Sequence, residues 1–461
     1  MSVLSTAGGV CAIALLTACA SAGPDADKHS AATAGARPRT DGILAEVSPS
    51  RLRADVDRLA SFGTRHTLSA VEGERGIGAA RRWIAAEFER IAAASGRAGD
   101  EAARVRFDAH VQHPAAPRIP RETEIVNVEC VLPGRSARRV YFVAHYDSRA
   151  TEPLDAASDA PGADDDASGV AALLEAARVL APRRFEATIV LLAVAGEEQG
   201  LFGSKFHAAA LRAAGTEVTA VLSDDIVGDP SGEGGASARD AIRVFAEGLP
   251  RAASAEETKR VAALGAESDS PSRQLARCVA EVADAEGTRV RPRLVFRPDR
   301  FLRGGDHLSF QDQGFAAVRF TEVHEKYDRQ HQDVRTENGR SFGDLPEFVD
   351  AEYLADVTRL NVAVLAHLAD APAPPRDARI VTAELTTDTT LRWSPGADGV
   401  AAGYEVVWRA TTSALWDHAK DVGLVTEATL PLCKDDWLFG VRAYDREGRR
   451  GLVAFPGAAK E

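Results

Sequence analysis

From residue 123 to residue 321 the chain repeats one pattern: a short apolar run of strand length, a polar turn, then a stretch at helical spacing. The runs are 123–132, Val140 to Tyr146, Ala187 to Ala195, Ala220 to Val227 and 316–321. Helical patterns separate them at 167–181 and 201–214, and Ile77, Ala80, Ile84, Phe88 and Ile91 mark another over 74–94. Ser270 before Pro271 supplies a cap and a first-turn proline for a helix over 271–285, and a long helical pattern from 344 to 369 closes the region. Apolar strands alternating with helices predict an α/β fold, a mostly parallel doubly wound sheet with helices on both faces. Such folds gather their chemistry at the carboxyl ends of the strands.

The strand ends carry acids and histidines. His145 closes one run, and Asp147 follows two residues later on the same strand face, where it can steady the second ring nitrogen of a metal-bound histidine. Asp164, Asp165 and Asp166 stand together before the helical pattern at 167. A helix start needs one capping carboxylate, and three repel one another, so a cation is the economical reason to collect them. A calcium loop is a poor match, because its alternating ligands and terminal Glu are missing. Glu197 and Glu198 follow the strongly apolar run 187–195, where one can bind metal while its neighbour handles protons. Asp224 and Asp225 end the next run, and His331 lies in the polar loop Tyr327 to Asp333 after 316–321. Each has an ordinary structural explanation alone; five together at predicted strand ends do not.

A chain of 461 residues exceeds one compact core, so two domains and tails are expected. The formal net charge of −13 argues against a nucleic-acid surface, which needs a basic footprint, and tolerates a cationic group such as a free amine. Residues 1–19 read as a signal peptide. The apolar run Val10 to Ala18 is too short to span a bilayer, and Leu16-Thr17-Ala18-Cys19 resembles a bacterial lipobox, although no Lys or Arg precedes it. That predicts an exported protein, secreted or lipid-anchored to the cell envelope, touching membrane only through its lipid. Residues 20–47 read as a flexible tether, 48–370 as the catalytic domain and 371–377, rich in proline, as a linker. Alternating runs at 391–393, 404–408 and 439–444 predict a small β-sandwich over 378–461 with Trp393 and Tyr404 in its core. It resembles a fibronectin type III module and bears no catalytic cluster; its binding partner is not legible. Cys130, Cys278 and Cys433 give no disulfide framework, and 229–300 carries no readable chemical motif.

The acidic segments, in this order, resemble the secreted bacterial dizinc aminopeptidases, relatives of leucyl aminopeptidases and glutamate carboxypeptidases, over about residues 50–370. The runs Pro161 to Gly169 and Gly196 to Ser204 are the most specific parts. The resemblance implies a zinc exopeptidase fold and two zinc ions. His145 and Asp225 would hold one, Glu198 and His331 the other, with Asp165 bridging. Glu197 would be the general base, Asp147 would orient His145, and Asp306 and His307 would stand behind the ligands. It also implies a cis peptide between Asp165 and Asp166, a structural role for Arg65, and peptides with a free N-terminus as substrates. His324 competes with His331 as ligand, Asp224 could exchange with Asp225, and Asp333 falls nearer the histidine than the family's usual acid.

Three other readings stay open. A carboxypeptidase of this fold needs cationic residues for a substrate carboxylate, and Arg273, Arg300 and Arg303 are available. A single-zinc glutaminyl cyclase uses the same ligand types. A non-catalytic lipoprotein would keep the fold as a relic, a reading that the filled set of positions disfavours. The ligand types do not separate zinc from cobalt or manganese.

Overall fold

A computed structural model describes Thr40, residues 42–383 and residues 385–459. The signal peptide and lipobox expected at 1–19 lie outside the described residues, as does the tether up to residue 39. The last part of that expected tether is not free chain. Ile43 and Val47 belong to the main hydrophobic core, and Leu44–Glu46 forms a 3-10 turn, so residues 42–47 are packed against the domain. Burying two aliphatic side chains outweighs the entropy that a polar tether would keep.

The elements in chain order are α1 (Pro49–Ala60), α2 (Ile77–Ala94), β1 (Arg104–Gln112), β2 (Thr123–Leu132), β3 (Arg139–His145), α3 (Ala167–Leu180), β4 (Thr188–Val194), α4 (Phe202–Ala213) and β5 (Val218–Asp224). They continue with β6 (Ala241–Phe245), α5 (Ala255–Ala263), α6 (Pro271–Glu286), β7 (Arg291–Val295), the short α7 (His307–Gln311), β8 (Ala317–Thr321), β9 (Arg335–Glu337), β10 (Arg340–Phe342) and α8 (Ala351–Asp370). The helical pattern read as continuous from 344 is broken. A 3-10 turn at Pro346–Phe348 precedes α8, whose first amides, of Glu352 and Tyr353, are capped by Asp350.

An eight-stranded sheet runs β1-β2-β4-β3-β5-β8-β6-β7. Its centre, β4-β3-β5-β8, is parallel throughout, while β1 and β2 add antiparallel on one side and β6 pairs antiparallel with β8. The period-2 alternation of β3 sorts its side chains between two cores. Val140, Phe142 and Ala144 join the large core under α1, α2, α3, α6 and α8; Tyr141 and Val143 join the smaller one beneath α4 and α7. Helices therefore cover both faces and leave the carboxyl ends of β3, β4 and β5 free to carry polar groups. The stretch 229–300, silent as chemistry, supplies β6, α5, α6 and β7.

After α8, β11 (Arg376–Val381), β12 (Thr389–Ser394), β13 (Gly403–Ala410), β14 (His418–Gly423), β15 (Glu427–Leu430), β16 (Trp437–Tyr444) and β17 (Gly457–Ala459) form sheets ordered β15-β12-β11-β17 and β14-β13-β16. Trp393 and Tyr404 meet edge-on at 5.5 Å in their shared core. The proline-rich connection is packed rather than loose. Ala371 and Ala373 are 1% and 2% exposed, and Ala371 O accepts from Arg138 Nη2 at 2.7 Å. Buried charge crosses the same junction: Asp269 accepts from Arg277 Nη1 at 3.2 Å and from Arg409 Nη2 of β13 at 2.7 Å. Trp416 Nε1 donates to Gln274 Oε1 at 3.1 Å beside them. Cys130, Cys278 and Cys433 are free, and no helix among the described residues is long and apolar enough to cross a membrane.

Candidate metal centre

The three consecutive aspartates do three different jobs. Asp166 caps α3, its Oδ1 accepting the Gly169 amide at 3.0 Å, while Oδ2 accepts the His145 amide at 3.1 Å. One carboxylate thus satisfies an open helix N-terminus and pins the end of β3. Asp164 Oδ1 accepts the Gly228 amide at 2.7 Å, tying the loop after β5. Asp165 alone points into the centre. The Asp165–Asp166 peptide bond is cis, and the Asp164 and Asp165 amides both donate to the Asp344 carboxylate, at 2.7–3.0 Å.

Two groups of potential ligands share Asp165. His145, Asp165 and Asp225 form one; Asp165, Glu198 and His331 form the other; within each, the donor atoms lie within 4.8 Å of one another. Asp165 Oδ1 stands 3.1 Å from His145 Nε2, and Oδ2 stands 3.0 Å from His331 Nε2. Glu198 Oε1 is 3.1 Å from His331 Nε2, and Asp225 Oδ1 is 3.9 Å from His145 Nε2. Gly196, at φ 77, takes the left-handed turn that carries the chain off β4 into the glutamates, a conformation glycine adopts without a Cβ clash.

A cation fits these donors. Among the described residues His145 Nε2 and Glu198 Oε1 are buried without any group in hydrogen-bonding geometry, although burial normally demands a partner. Imidazole nitrogen with carboxylate oxygen is the donor set that zinc takes. The electrostatics agree. Burial alone would raise the Asp165 carboxyl, but the His145 and His331 imidazoles hold it well below the ordinary range. Burial opposes charge on His331, yet Glu198 and Asp165 lift it to about 10, so this half of the centre draws positive charge. Burial pushes the Glu197 carboxyl well up, with Asp225, Glu198 and Asp306 adding to the push and His145 opposing it.

The remaining anticipated residues fall into place unequally. Asp147 meets His145 Nδ1 through its backbone carbonyl at 3.1 Å; its carboxylate is 3.6 Å away and is spent on the amides of Glu197 and Glu198, each at 3.2 Å. Asp306 is buried, its Oδ1 has no hydrogen-bond partner, and burial lifts its carboxyl to about 7. His307 donates from Nε2 to Pro298 O at 2.8 Å and props the loop before α7, outside both ligand groups. His324 also lies outside them, against Gly232, and Asp224 accepts from Asn361 Nδ2 at 2.5 Å. Asp333 Oδ1 takes the Thr151 amide at 3.1 Å. Arg65, fully buried, donates to the Tyr146, Leu59, Pro161 and Gly162 carbonyls and ties the end of α1 to both ends of the connection between β3 and α3.

Several neighbours were not legible in advance. Arg149 Nη2 donates to His331 Nδ1 at 2.7 Å, and its Nε lies 3.1 Å from Glu198 Oε2. Gln330 Nε2 donates to Asp165 Oδ2 at 3.1 Å. Arg319, fully buried on β8, stands 2.8 Å from Asp225 Oδ1 and 3.2 Å from Asp299. Gly305 leaves room for this pair, since a Cβ there would come within 2.8 Å of Arg319 and 3.2 Å of Asp225. Arg149 two residues beyond Asp147, and Gln330 next to His331, had sequence adjacency as their only signal; Asp344 and Arg319 had none.

The chain resembles known proteins over this region. The profile of peptidase family M28 matches residues 127–350, which contain all of the clustered residues. A "probable zinc metalloprotease" of the fungus Leptosphaeria maculans is 47% identical over 419 residues, 90% of this chain and 96% of that one. A "probable zinc metalloprotease" of Pyricularia oryzae is 46% identical over 442 residues, covering 94% and 85%. These relatives are fungal, whereas the sequence resemblance pointed to bacterial enzymes. Among solved structures, the Legionella pneumophila LapA aminopeptidase aligns with a TM-score of 0.51 at 19% identity, covering 72% of this chain and 74% of that one. LapB from the same organism aligns at 0.50. Both show the shared fold. The profile match, the extended identity to the metalloproteases and the paired His–carboxylate clusters place this chain in peptidase family M28, as a zinc metalloprotease.

Proposed function

We propose that the chain is an exopeptidase holding two zinc ions, and specifically an aminopeptidase. One observation carries the reading: Asp165 presents its two oxygens to two histidines from opposite sides, 3.1 Å from His145 Nε2 and 3.0 Å from His331 Nε2. A carboxylate so placed would serve two cation sites at once. His145, Asp165 and Asp225 would hold one ion, and Asp165, Glu198 and His331 the other. Zinc supplies Lewis acidity there, polarising a carbonyl oxygen and acidifying water.

The protein's own groups do the rest. Asp147 fixes the backbone of Glu197 and Glu198 together, so Glu198 faces the cluster while Glu197 is held next to it. A Glu197 carboxylate oxygen takes the proton of the attacking water and returns it to the leaving amine nitrogen. Burial and the surrounding carboxylates favour that proton on Glu197, and cation charge at the clusters favours its release; a base that must take and give needs both. The acidic centre, including the Asp306 carboxyl with its unpartnered Oδ1, suits the ammonium of a free N-terminus. The fold shared with the LapA aminopeptidase is consistent with this chemistry.

The test compares one tripeptide, free and N-acetylated, with and without a zinc chelator. Chelator-sensitive release of the first residue from the free form alone supports the aminopeptidase. Cleavage of the acetylated peptide from its C-terminus would replace it with a carboxypeptidase. The Leu16 to Cys19 motif further supports export with a lipid on Cys19. Cys19→Ala should then move the protein from the membrane to the soluble fraction, and an unchanged distribution would remove the anchor.

A further inference from the structure

Asp225 is anchored unlike the acids around it. Asp147, Asp164 and Asp166 each accept backbone amides, which fix their carboxylates whatever else is bound. The Asp225 carboxylate instead forms two ion pairs among the described residues: Oδ1 lies 3.9 Å from His145 Nε2 and 2.8 Å from Arg319 Nη2. His145 belongs to the same ligand group as Asp225, so Arg319 is its charged partner from outside that group. The surroundings are shaped to this contact. Arg319 on β8 is 0% exposed, and a buried guanidinium is costly unless anions and acceptors meet it. They do: Nη1 donates to Asp299 Oδ2 at 3.2 Å and to Gly304 O at 2.7 Å, and Nη2 donates to the Asp225 carbonyl at 3.4 Å. Arg319 thus grips Asp225 by backbone and side chain together. Ile226, the next residue, takes φ 62, a strained turn for a β-branched side chain that leads the chain away directly behind the carboxylate.

Charge explains the third member of the array. An arginine beside a cation site repels the ion. Asp299 lies outside both ligand groups, and its negative charge offsets the guanidinium, so Asp225, Arg319 and Asp299 together carry the charge of one carboxylate. Arg300 also meets Asp299, at 3.0 Å, and is balanced in turn by Glu325 at 2.7 Å. The array keeps its hold on Asp225 and sheds the repulsion. A planar fork suits the task, because its two ends reach two carboxylates at once.

Resting on the two-ion reading above, we propose that Arg319 is a positioning residue: it holds the Asp225 carboxylate ready for the ion on the His145 side and takes no part in holding the ion on the His331 side. The test titrates the metal-free full chain with zinc, unaltered and as Arg319→Met, and resolves the affinities of the two equivalents by calorimetry against a competing chelator. One equivalent should weaken about 10–100-fold, the usual effect of losing a group that orients a metal ligand, while the other keeps its affinity. Charge alone predicts the opposite sign, since removing a positive neighbour tightens cation binding. Arg319→Lys keeps the charge but presents a single ammonium to two carboxylates, so it should weaken the same equivalent. Gly305→Ala changes no charge, but its Cβ would come within 2.8 Å of Arg319 Nη1 and 3.2 Å of Asp225 Oδ2. It should displace the pair with the same result, which keeps the test open where Arg319→Met does not fold. Two equivalents bound as tightly or more tightly by the variants would overturn the positioning role and leave the two-ion centre standing. Equal weakening of both would overturn it too, by showing a general loss of structure. Fewer than two equivalents in the unaltered protein would sink the two-ion reading, and this role with it.

Discussion

Asp147 holds Glu197 by its backbone: Asp147 Oδ1 accepts the Glu197 amide at 3.2 Å while Oδ2 accepts the Glu198 amide at the same distance and the Thr67 hydroxyl at 2.8 Å. One carboxylate from the end of β3 therefore sets the loop after β4. Asp147→Asn replaces one acceptor oxygen with a donor that faces an amide hydrogen. Turnover should fall on the order of tenfold or more with zinc content unchanged, since the loop shifts while the ligands stay. Kinetics paired with metal analysis would decide it; lost zinc with normal specific activity per zinc would point instead to an effect through His145.

Glu197→Gln keeps size and hydrogen bonding but cannot take a proton. A fall in kcat of roughly 10²–10⁴-fold is expected, with the metal retained. A variant turning over at close to the normal rate would assign the base elsewhere.

Asp165→Ala removes the residue common to both ligand groups. Neither cluster keeps three donors, so zinc should be lost from both. The check is calorimetric: a chelator should lower the melting temperature of the unaltered protein, as expected when metal binds only the folded state, and leave that of the variant where it was. One tightly held equivalent in the variant would contradict the bridge.

Asp269→Ala should loosen the junction between α6 and the C-terminal sheets. Arg277 and Arg409 are each 1% exposed, and both lose their carboxylate. Stranding buried charge costs about 3–5 kcal/mol. The midpoint of urea unfolding should drop accordingly, and an unmoved midpoint would mean that water or other groups take over.

Glu247 predicts a pH effect away from the centre. Burial lifts its carboxyl to about 7, against weaker opposition from the Ser272 hydroxyl. Its folded value lies above its unfolded one, so its favourable contribution is complete below the ordinary carboxyl range and is lost as pH rises toward 7. Glu247→Gln should remove that slope and stabilise the protein at pH 8 by roughly 1–3 kcal/mol. Unfolding curves at pH 5 and pH 8 would show it; an equal gap between variant and parent at both pH values would not fit.

The legible part of this protein was what short spacing expresses. Apolar runs of strand length marked β2, β3, β4, β5 and β8, because a buried strand is apolar on both faces wherever it lies in the fold. The acids at their ends stood out because carboxylates beside such runs are costly without a compensating charge. What local spacing could not express was direction. Three adjacent aspartates read alike in sequence, yet Asp164 turns to Gly228, Asp166 to Gly169 and His145, and only Asp165 to the centre.

The sequence by itself determined the alternating strands and helices, the acidic strand ends and the residue types available to a cation. Only the tertiary structure decided which of these residues meet, since Asp165 and His331 are 166 positions apart and come within 3.0 Å through the packing of loops around the sheet. The same holds for Arg149, Arg319 and Asp344, ordinary charged residues in sequence that burial against particular neighbours brings to the centre or to its supporting amides. It holds again for the proline-rich connection, whose composition describes a free linker and whose alanines are buried by the sheets that follow. Composition states what a segment can do in water; the contacts that remove water from it are non-local, and they set its role.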